Sequence, residues 1–241
     1  MFKTSSNKIK IFTDGANLDS IIKLAKDKLI DGITTNPSLM RKSGVTNYML
    51  FAKTAVLNSK GKSISLEVLN DDFDSMFNQA LILSKLGESV YVKVPITNSF
   101  GLSTIDVITK LIKAEIKVNI TAILSYKQID ECIKILSPNS KVYLSIFAGR
   151  IADTGRDPVS YFEYSSKKIL GNNLANVETL WASTREVYNV YQAARCGCDI
   201  ITVSPSIIQK LKLKDYDLES FSLDTVRMFK SDADAAGYEI N

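Results

Sequence analysis

The sequence predicts an α/β protein: a (β/α)8 barrel forming one domain over residues 1–241, with a C-terminal helical extension. Three observations carry this reading. Strand-like and helix-like segments alternate along the whole chain. Eight such units share 241 residues, roughly thirty residues per unit, which is the spacing of that barrel. The competing open, doubly wound sheet is disfavoured because neither a G-x-G-x-x-G loop nor a Walker A sequence is present.

The elements follow in order. Ile9–Asp14 opens the series, and a helix is expected over Asn17–Lys28, where Leu18, Ile21, Ile22, Leu24 and Ala25 recur at helical spacing. Gly32–Asn36 is the second strand and Ser63–Leu69 the third. The helix Asp72–Lys85 then carries Phe73, Met76, Phe77, Ala80, Leu81 and Leu83. Val90–Pro95 is β-branched and aromatic and is stopped by its proline; the helix Leu102–Lys113 comes next. Lys117–Thr121 leads to a helix over Ser125–Leu136, with Ser125 as N-cap. Lys141–Phe147 is the sixth strand. The stretch 153–157 reads as a turn, with a lid as the alternative, into the helix Asp157–Leu170, which has Pro158 at its first helical position. Glu178–Ser183, the helix Thr184–Arg195 and the strand Asp199–Ser204 complete the barrel. Beyond them, Leu223, Val226, Met228, Phe229 and Ala233 mark an amphipathic helix over Leu223–Tyr238. That helix either covers its own barrel or docks on a neighbour, so a homo-oligomer stays open.

Composition removes several function classes. Lysines and arginines give a net charge of +4 but never run longer than two, and no basic tract is interleaved with aromatics. Nucleic-acid binding is therefore not expected, whereas a small anionic ligand fits the mild positive balance. Met1 to Lys10 has no apolar signal segment and no stretch approaches a membrane span, so the cytoplasm is the expected compartment and no membrane partner is expected. The three cysteines are an odd number, and Cys196-Gly197-Cys198 is too tight for a disulfide. The chain has no histidine, so neither the commonest metal ligand nor the usual imidazole base is available. No metal site is expected.

The phases of the strands say more than their existence. A barrel strand docks its outward phase on helices, so the opposite phase points inward. Ile64, Leu66 and Val68 oppose Glu67. Val90, Val92 and Val94 oppose Lys93 and Tyr91. Val118 and Ile120 oppose Asn119 and Thr121, and Val142, Leu144 and Ile146 oppose Tyr143, Ser145 and Phe147. On strand seven, Leu180 and Ala182 are read as the outward set, with Trp181 and Ser183 inward. The inward phases then bring Asp14, Asn36, Glu67, Lys93, Asn119, Thr121, Ser145 and Ser183 to the C-terminal mouth, where such barrels build their active sites.

Lys93 is the sharpest candidate. A lysine held inside a fold is costly to keep charged, and its pKa tends to fall, so it can become a nucleophile. The bland alternative is a strand-end lysine snorkelling to solvent. Glu67 could likewise be a rim acid paired with Lys93, and Asp14 a helix cap. An amine, two acids and a threonine in one mouth are nonetheless what Schiff-base chemistry requires, because carbinolamine formation, dehydration and carbon–carbon cleavage all need proton transfer. Arg150 and Arg185, on the loops after strands six and seven, are either solvated surface or a phosphate clamp.

Several segments together resemble the transaldolase family, which includes the fructose-6-phosphate aldolases. They are Gly32-Ile33-Thr34-Thr35-Asn36-Pro37-Ser38, Val92-Lys93-Val94-Pro95, Asn119-Ile120-Thr121, Phe147-Ala148-Gly149-Arg150, Ala182-Ser183-Thr184-Arg185 and Gly197-Cys198-Asp199-Ile200-Ile201-Thr202. The resemblance spans nearly the whole chain and implies a class I aldolase (β/α)8 barrel that uses no cofactor. It implies that Lys93 forms the Schiff base, that Asp14 handles the C4 hydroxyl proton, and that Glu67 and Thr121 hold a catalytic water. It further implies that Asn36, Asn119 and Ser145 bind the dihydroxyacetone portion, that Thr34 and Phe147 also belong to the substrate site, and that Arg150, Ser183 and Arg185 bind phosphate. Glu67 with Phe147 is the transaldolase combination, since the aldolases resemble it but carry glutamine and tyrosine there. The implied reaction passes a dihydroxyacetone unit from sedoheptulose 7-phosphate to glyceraldehyde 3-phosphate. An aldolase releasing free dihydroxyacetone and a non-catalytic sugar-phosphate-binding barrel are the alternatives. Departures from the family pattern gather near the expected substrate: Gly15 after Asp14, Ile146, Trp181, Thr184 and the longer loop after Pro95.

Overall fold

A computed structural model describes residues 8–240; most of the stretch Met1 to Lys10 read above as lacking a signal segment therefore lies outside the described residues. Eight parallel strands close in sequence order: β1 (Lys10–Asp14), β2 (Gly32–Thr34), β3 (Ser63–Glu67), β4 (Val90–Pro95), β5 (Val118–Ile123), β6 (Val142–Ile146), β7 (Val177–Trp181) and β8 (Ile200–Val203). Pairing of β1 with both β2 and β8 shuts the barrel. Helices α1 (Leu18–Ala25), α4 (Phe73–Ser84), α5 (Ile105–Lys113), α6 (Tyr126–Ile135), α8 (Val159–Gly171) and α9 (Tyr188–Arg195) are the expected crossovers. Four further short or weakly patterned helices have no counterpart in the sequence reading: α2 (Pro37–Lys42), α3 (Tyr48–Asn58), α7 (Ala148–Ala152) and α10 (Pro205–Lys210).

Local chemistry sets several boundaries. Ser125 caps α6 in a reciprocal capping box with Gln128, as its side chain suggested. Asn17 caps α1 by accepting from the Ser20 amide, which leaves Asp14 free of that duty. Pro158 lies one residue earlier than expected, at the N-cap of α8 rather than inside it. The C-terminal end of β5 runs on to Ile123 through a register shift against β6, and Ala122 takes a left-handed φ of 61° there. A non-glycine in that region is strained, and such kinks recur beside functional sites.

Part of the barrel interior is apolar: Phe12, Tyr143, Leu180, Ala182 and Ile200 pack together, with Tyr91 and Phe147 against them. Tyr91 and Tyr143 stack with ring centroids 3.8 Å apart. Gly32 is required here, because a Cβ on it would meet the Phe12 ring at 2.6 Å. Each large side chain buried in this way contributes about 1.5–3 kcal/mol.

Strand β7 corrects the sequence reading. Leu180 and Ala182 belong to the interior cluster, so they are its inward phase. Trp181 faces outward and stacks on Phe162 of α8, with centroids 4.7 Å apart. Its bulk therefore lies behind the sheet, not above the lysine. The reason is that the two phases of β7 are alike in character: each carries one polar residue, Glu178 or Thr179, and apolar ones that serve the interior cluster or the helix layer.

The chain divides after Ile208 into two compact units, the barrel and a C-terminal unit. In the latter, a 3-10 turn over Leu211–Leu213 precedes α11 (Leu218–Ala236), which begins five residues earlier than its apolar pattern indicated. Asp217 caps α11 by accepting from the Ser220 amide, and Gly237 ends it with a left-handed φ of 65°. Among the described residues, no helix is long and apolar enough to cross a membrane.

Candidate active site

Adjacent strands bring the central groups together. Register pairs Glu67 with Lys93 and Lys93 with Asn119, so three inward side chains stand side by side on β3, β4 and β5. Lys93 does not snorkel: its side chain is 9% exposed, and Glu67 Oε2 lies 3.0 Å from Nζ. The amine also donates to the Thr35 carbonyl at 3.1 Å. Thr35 is itself fixed by β3, since its hydroxyl and its amide both donate to the Ser65 carbonyl. A buried ion pair of this kind is weak evidence for stability, because removing both charges from water offsets most of their attraction. Its position in the mouth suits chemistry better than folding.

Two buried oxygens have no hydrogen-bond partner in the protein: Glu67 Oε2, next to the amine, and Thr121 Oγ1, on β5 beside Pro95. The 3.0 Å approach of Lys93 to Glu67 is therefore an ion pair by distance without a well-aligned hydrogen bond. Unsatisfied buried oxygens are costly and are retained where a water or substrate completes them. Glu67 is further held by its backbone, whose carbonyl accepts from the Tyr48 hydroxyl at 2.8 Å. Burial first, and the nearby Glu67 charge second, push the Tyr48 phenol up, so it stays a neutral donor.

Asp14 stands at the end of β1. Burial pushes its carboxyl up, while the Lys93 charge and a hydrogen bond from Thr34 pull it back and Glu67 pushes it further up. Thr34 donates to Asp14 Oδ1 at 3.0 Å and lies 2.5 Å from the Thr202 hydroxyl. The Thr34 hydroxyl is thus committed inside the protein. Asn119 is oriented from both sides: Ser145 donates to its Oδ1 at 2.6 Å, and its amide donates to Ser65 at 2.9 Å. Asn36 uses its side-chain oxygen to cap α2 through the Leu39 amide, leaving its NH2 as a donor for other contacts. Phe147 is half-buried at the N-cap of α7, against the interior cluster.

The arginine rim is built differently. Arg150 lies exposed in α7, and Arg185 follows β7 in a loop. Ser183 does not arrive by strand phase as expected. It follows the inward Ala182 and bends with a left-handed φ of 62°. That turn presses the Ser183 carbonyl against Gly149, where a Cβ would lie 1.8 Å from the carbonyl oxygen and 2.9 Å from Arg185 Nε. Gly149 is therefore what lets the loop carrying Ser183 and Arg185 close on α7. Arg185 pairs with Asp153 at 2.5 Å, both side chains half exposed. Such a pair contributes little to stability and can be exchanged for another anion.

Ser65, Thr35, Tyr48, Asp153 and Thr202 were not singled out from the sequence. Ser65 shares the inward phase of Glu67, and Thr202 sits in a quoted motif on the phase opposite Ile201 and Val203, so alternation could have found both. The Thr35 contact uses a backbone carbonyl and leaves no sequence signal. Among the described residues no cluster of three or more acidic, thiol or imidazole groups could hold a metal ion.

Comparisons with known proteins bear on this arrangement. The family model described as Transaldolase/Fructose-6-phosphate aldolase matches residues 11–240. A protein of Nitrosopumilus maritimus named "Probable transaldolase" is 35% identical over 221 residues, covering 90% of this chain and 94% of that protein. One of the same name from Chelativorans sp. is 34% identical over 219 residues, covering 90% and 96%. Among solved structures, CdNal from Clostridium difficile in complex with mannosamine superposes with a TM-score of 0.56 at 12% identity, covering 94% of this chain and 82% of that one. Orotidine 5'-monophosphate decarboxylase from Metallosphaera sedula superposes with a TM-score of 0.52 at 13% identity, covering 91% and 97%. These two likenesses show the barrel fold alone.

Proposed function

The chain belongs to the transaldolase/fructose-6-phosphate aldolase family, and on that premise we propose that it is a transaldolase working through a Schiff base on Lys93. The observation that carries this reading is the buried Lys93 amine, held between the Glu67 carboxylate and the Thr35 carbonyl in the barrel mouth. In this scheme Glu67 accepts the ammonium proton, and the free amine attacks the C2 carbonyl of a ketose phosphate. Loss of water from the carbinolamine gives the iminium, with a water shared by Glu67 and Thr121 passing the protons. Asp14 then takes the proton of the C4 hydroxyl. The C3–C4 bond breaks, its electron pair flows into the iminium to give an enamine, and an aldose phosphate leaves. The enamine carbon adds to the carbonyl of a second aldose phosphate while Asp14 returns the proton, and hydrolysis frees the new ketose phosphate and the amine. The imine is the electron sink, so the scheme uses no cofactor.

The fine substrate choice is sedoheptulose 7-phosphate with glyceraldehyde 3-phosphate, giving erythrose 4-phosphate and fructose 6-phosphate. Arg150, Ser183 and Arg185 hold the phosphate, with Arg185 exchanging Asp153 for it. Asn36, Asn119 and Ser145 hold the dihydroxyacetone hydroxyls. Three buried, unpaired cysteines suit a reducing cytoplasm. The test is acceptor dependence: fructose 6-phosphate is consumed with erythrose 4-phosphate present and left intact without it. Release of free dihydroxyacetone in the absence of an acceptor would replace the transferase reading by the aldolase one.

A further inference from the structure

Thr202 sits on the inward phase of β8, 5% exposed, and has no role in the scheme above. Its hydroxyl lies 2.5 Å from that of Thr34, and Thr34 in turn donates to Asp14 Oδ1 at 3.0 Å. The direction of this chain follows from the count of protons. An ionised carboxylate only accepts, so the one hydroxyl proton of Thr34 goes to Asp14. The proton in the 2.5 Å contact must then come from Thr202. Each bond in such a series polarises the next. The three residues lie on three neighbouring strands, β8, β1 and β2, whose registers pair Thr202 with Phe12 and Asp14 with Thr34. Thr202 is anchored in turn, because its carbonyl accepts from the Thr184 hydroxyl at 2.7 Å.

We propose that Thr202 is a positioning residue for Asp14: it locks the Thr34 hydroxyl in the orientation that donates to the carboxylate and so aims that carboxylate at the substrate hydroxyl. This rests on the reading of Asp14 as the base. The bland competitor is a core threonine that merely satisfies its own hydroxyl. The two differ in what a change at Thr202 does to Asp14, which otherwise faces Lys93 from β4 and Glu67 from β3.

Thr202→Val removes the hydroxyl and keeps the shape. Thr34 then becomes free to turn away, and Asp14 loses support for its charged form. The Asp14 carboxyl, followed by NMR titration of the resting protein, moves to higher pH in Thr202→Val and returns in Thr202→Ser. In turnover, kcat falls by about three- to tenfold, the acid limb of its pH profile moves up, and KM for the ketose phosphate stays within about twofold. Thr202→Ser restores both. Borohydride trapping at Lys93 is unaffected, because imine formation does not use Asp14. An unmoved Asp14 titration in Thr202→Val, or a Thr202→Ser variant that behaves like Thr202→Val, overturns the proposal. Failure of the unaltered protein to form a Lys93 adduct counts instead against the Schiff-base reading, and the resting-state titration still decides the role of Thr202.

Discussion

The two halves of the barrel mouth are held in place by different means. On β3, β4 and β5 the groups around Lys93 project from strands: Asn119 is hydrogen-bonded to β3 and β6, and Lys93 is held between Glu67 and the Thr35 carbonyl. On the far side Arg150 and Arg185 sit on a short helix and a loop, exposed, and the partner of Arg185 is an equally exposed carboxylate. Strand-borne groups lose little freedom when a substrate arrives, which suits the steps where bonds change. The loop-borne Arg185 has an exposed partner that an incoming anion can replace, which suits the capture and release proposed for it. The comparison predicts that damage to the first region lowers the rate of chemistry, and damage to the second weakens binding.

The largest effect is expected at Asp14. Asp14→Asn removes the proposed base and should lower turnover by roughly 10²- to 10⁴-fold, with Lys93 still trapped by borohydride. Stability should move the other way. Burial raises the folded-state pKa of Asp14 above 3.8; its protonated form therefore favours folding at low pH, and that contribution is lost as pH rises through the folded value. At neutral pH the charged carboxylate costs stability, so Asp14→Asn should melt higher at pH 7 and lose its advantage below about pH 4. A lower melting temperature at pH 7 would mean that Asp14 is a structural anion.

A middle-sized effect is expected at the rim. Gly149→Ala drives a Cβ into the Ser183 carbonyl, so the loop carrying Ser183 and Arg185 must shift. KM for phosphorylated ketoses should rise about tenfold or more with kcat changed far less, and Arg185→Gln should do the same without the steric cause. A fall in kcat at unchanged KM in either variant would break the division between the two regions.

The smallest effect is expected behind the sheet. Trp181→Phe keeps the stack on Phe162 and removes a buried indole N–H that has no partner. Kinetics should be unchanged, with stability altered by no more than about 1–3 kcal/mol, checked by steady-state assay and chemical denaturation. An altered choice among sugar phosphates would return Trp181 to the pocket.

These contrasts also explain how far the sequence could be read. Phases on β3 to β6 were legible because one face is aliphatic, for docking helices, and the other carries Glu67, Lys93, Asn119 or Ser145. On β7 each face mixes one polar residue, Glu178 or Thr179, with apolar ones, so alternation has no sign and the outward direction of Trp181 is not legible. Ser183 was beyond reach for another reason: a left-handed backbone turn, not strand phase, sets its direction. Helix α3 escaped because Leu50 and Leu57 are exposed while Phe51, Ala52 and Ala55 are buried, which blurs the apolar stripe. The link from Thr202 to Asp14 needs the register of three strands at once, which no single segment contains.

The central claim is that Lys93 forms an imine with a ketose phosphate. Incubation with fructose 6-phosphate and sodium borohydride, followed by peptide mass spectrometry, tests it directly. The account predicts irreversible inactivation and a reduced dihydroxyacetone adduct on the peptide containing Lys93, with the adduct absent from Lys93→Met. A protein that binds the sugar phosphate yet yields no adduct, or yields one on another lysine, would contradict it.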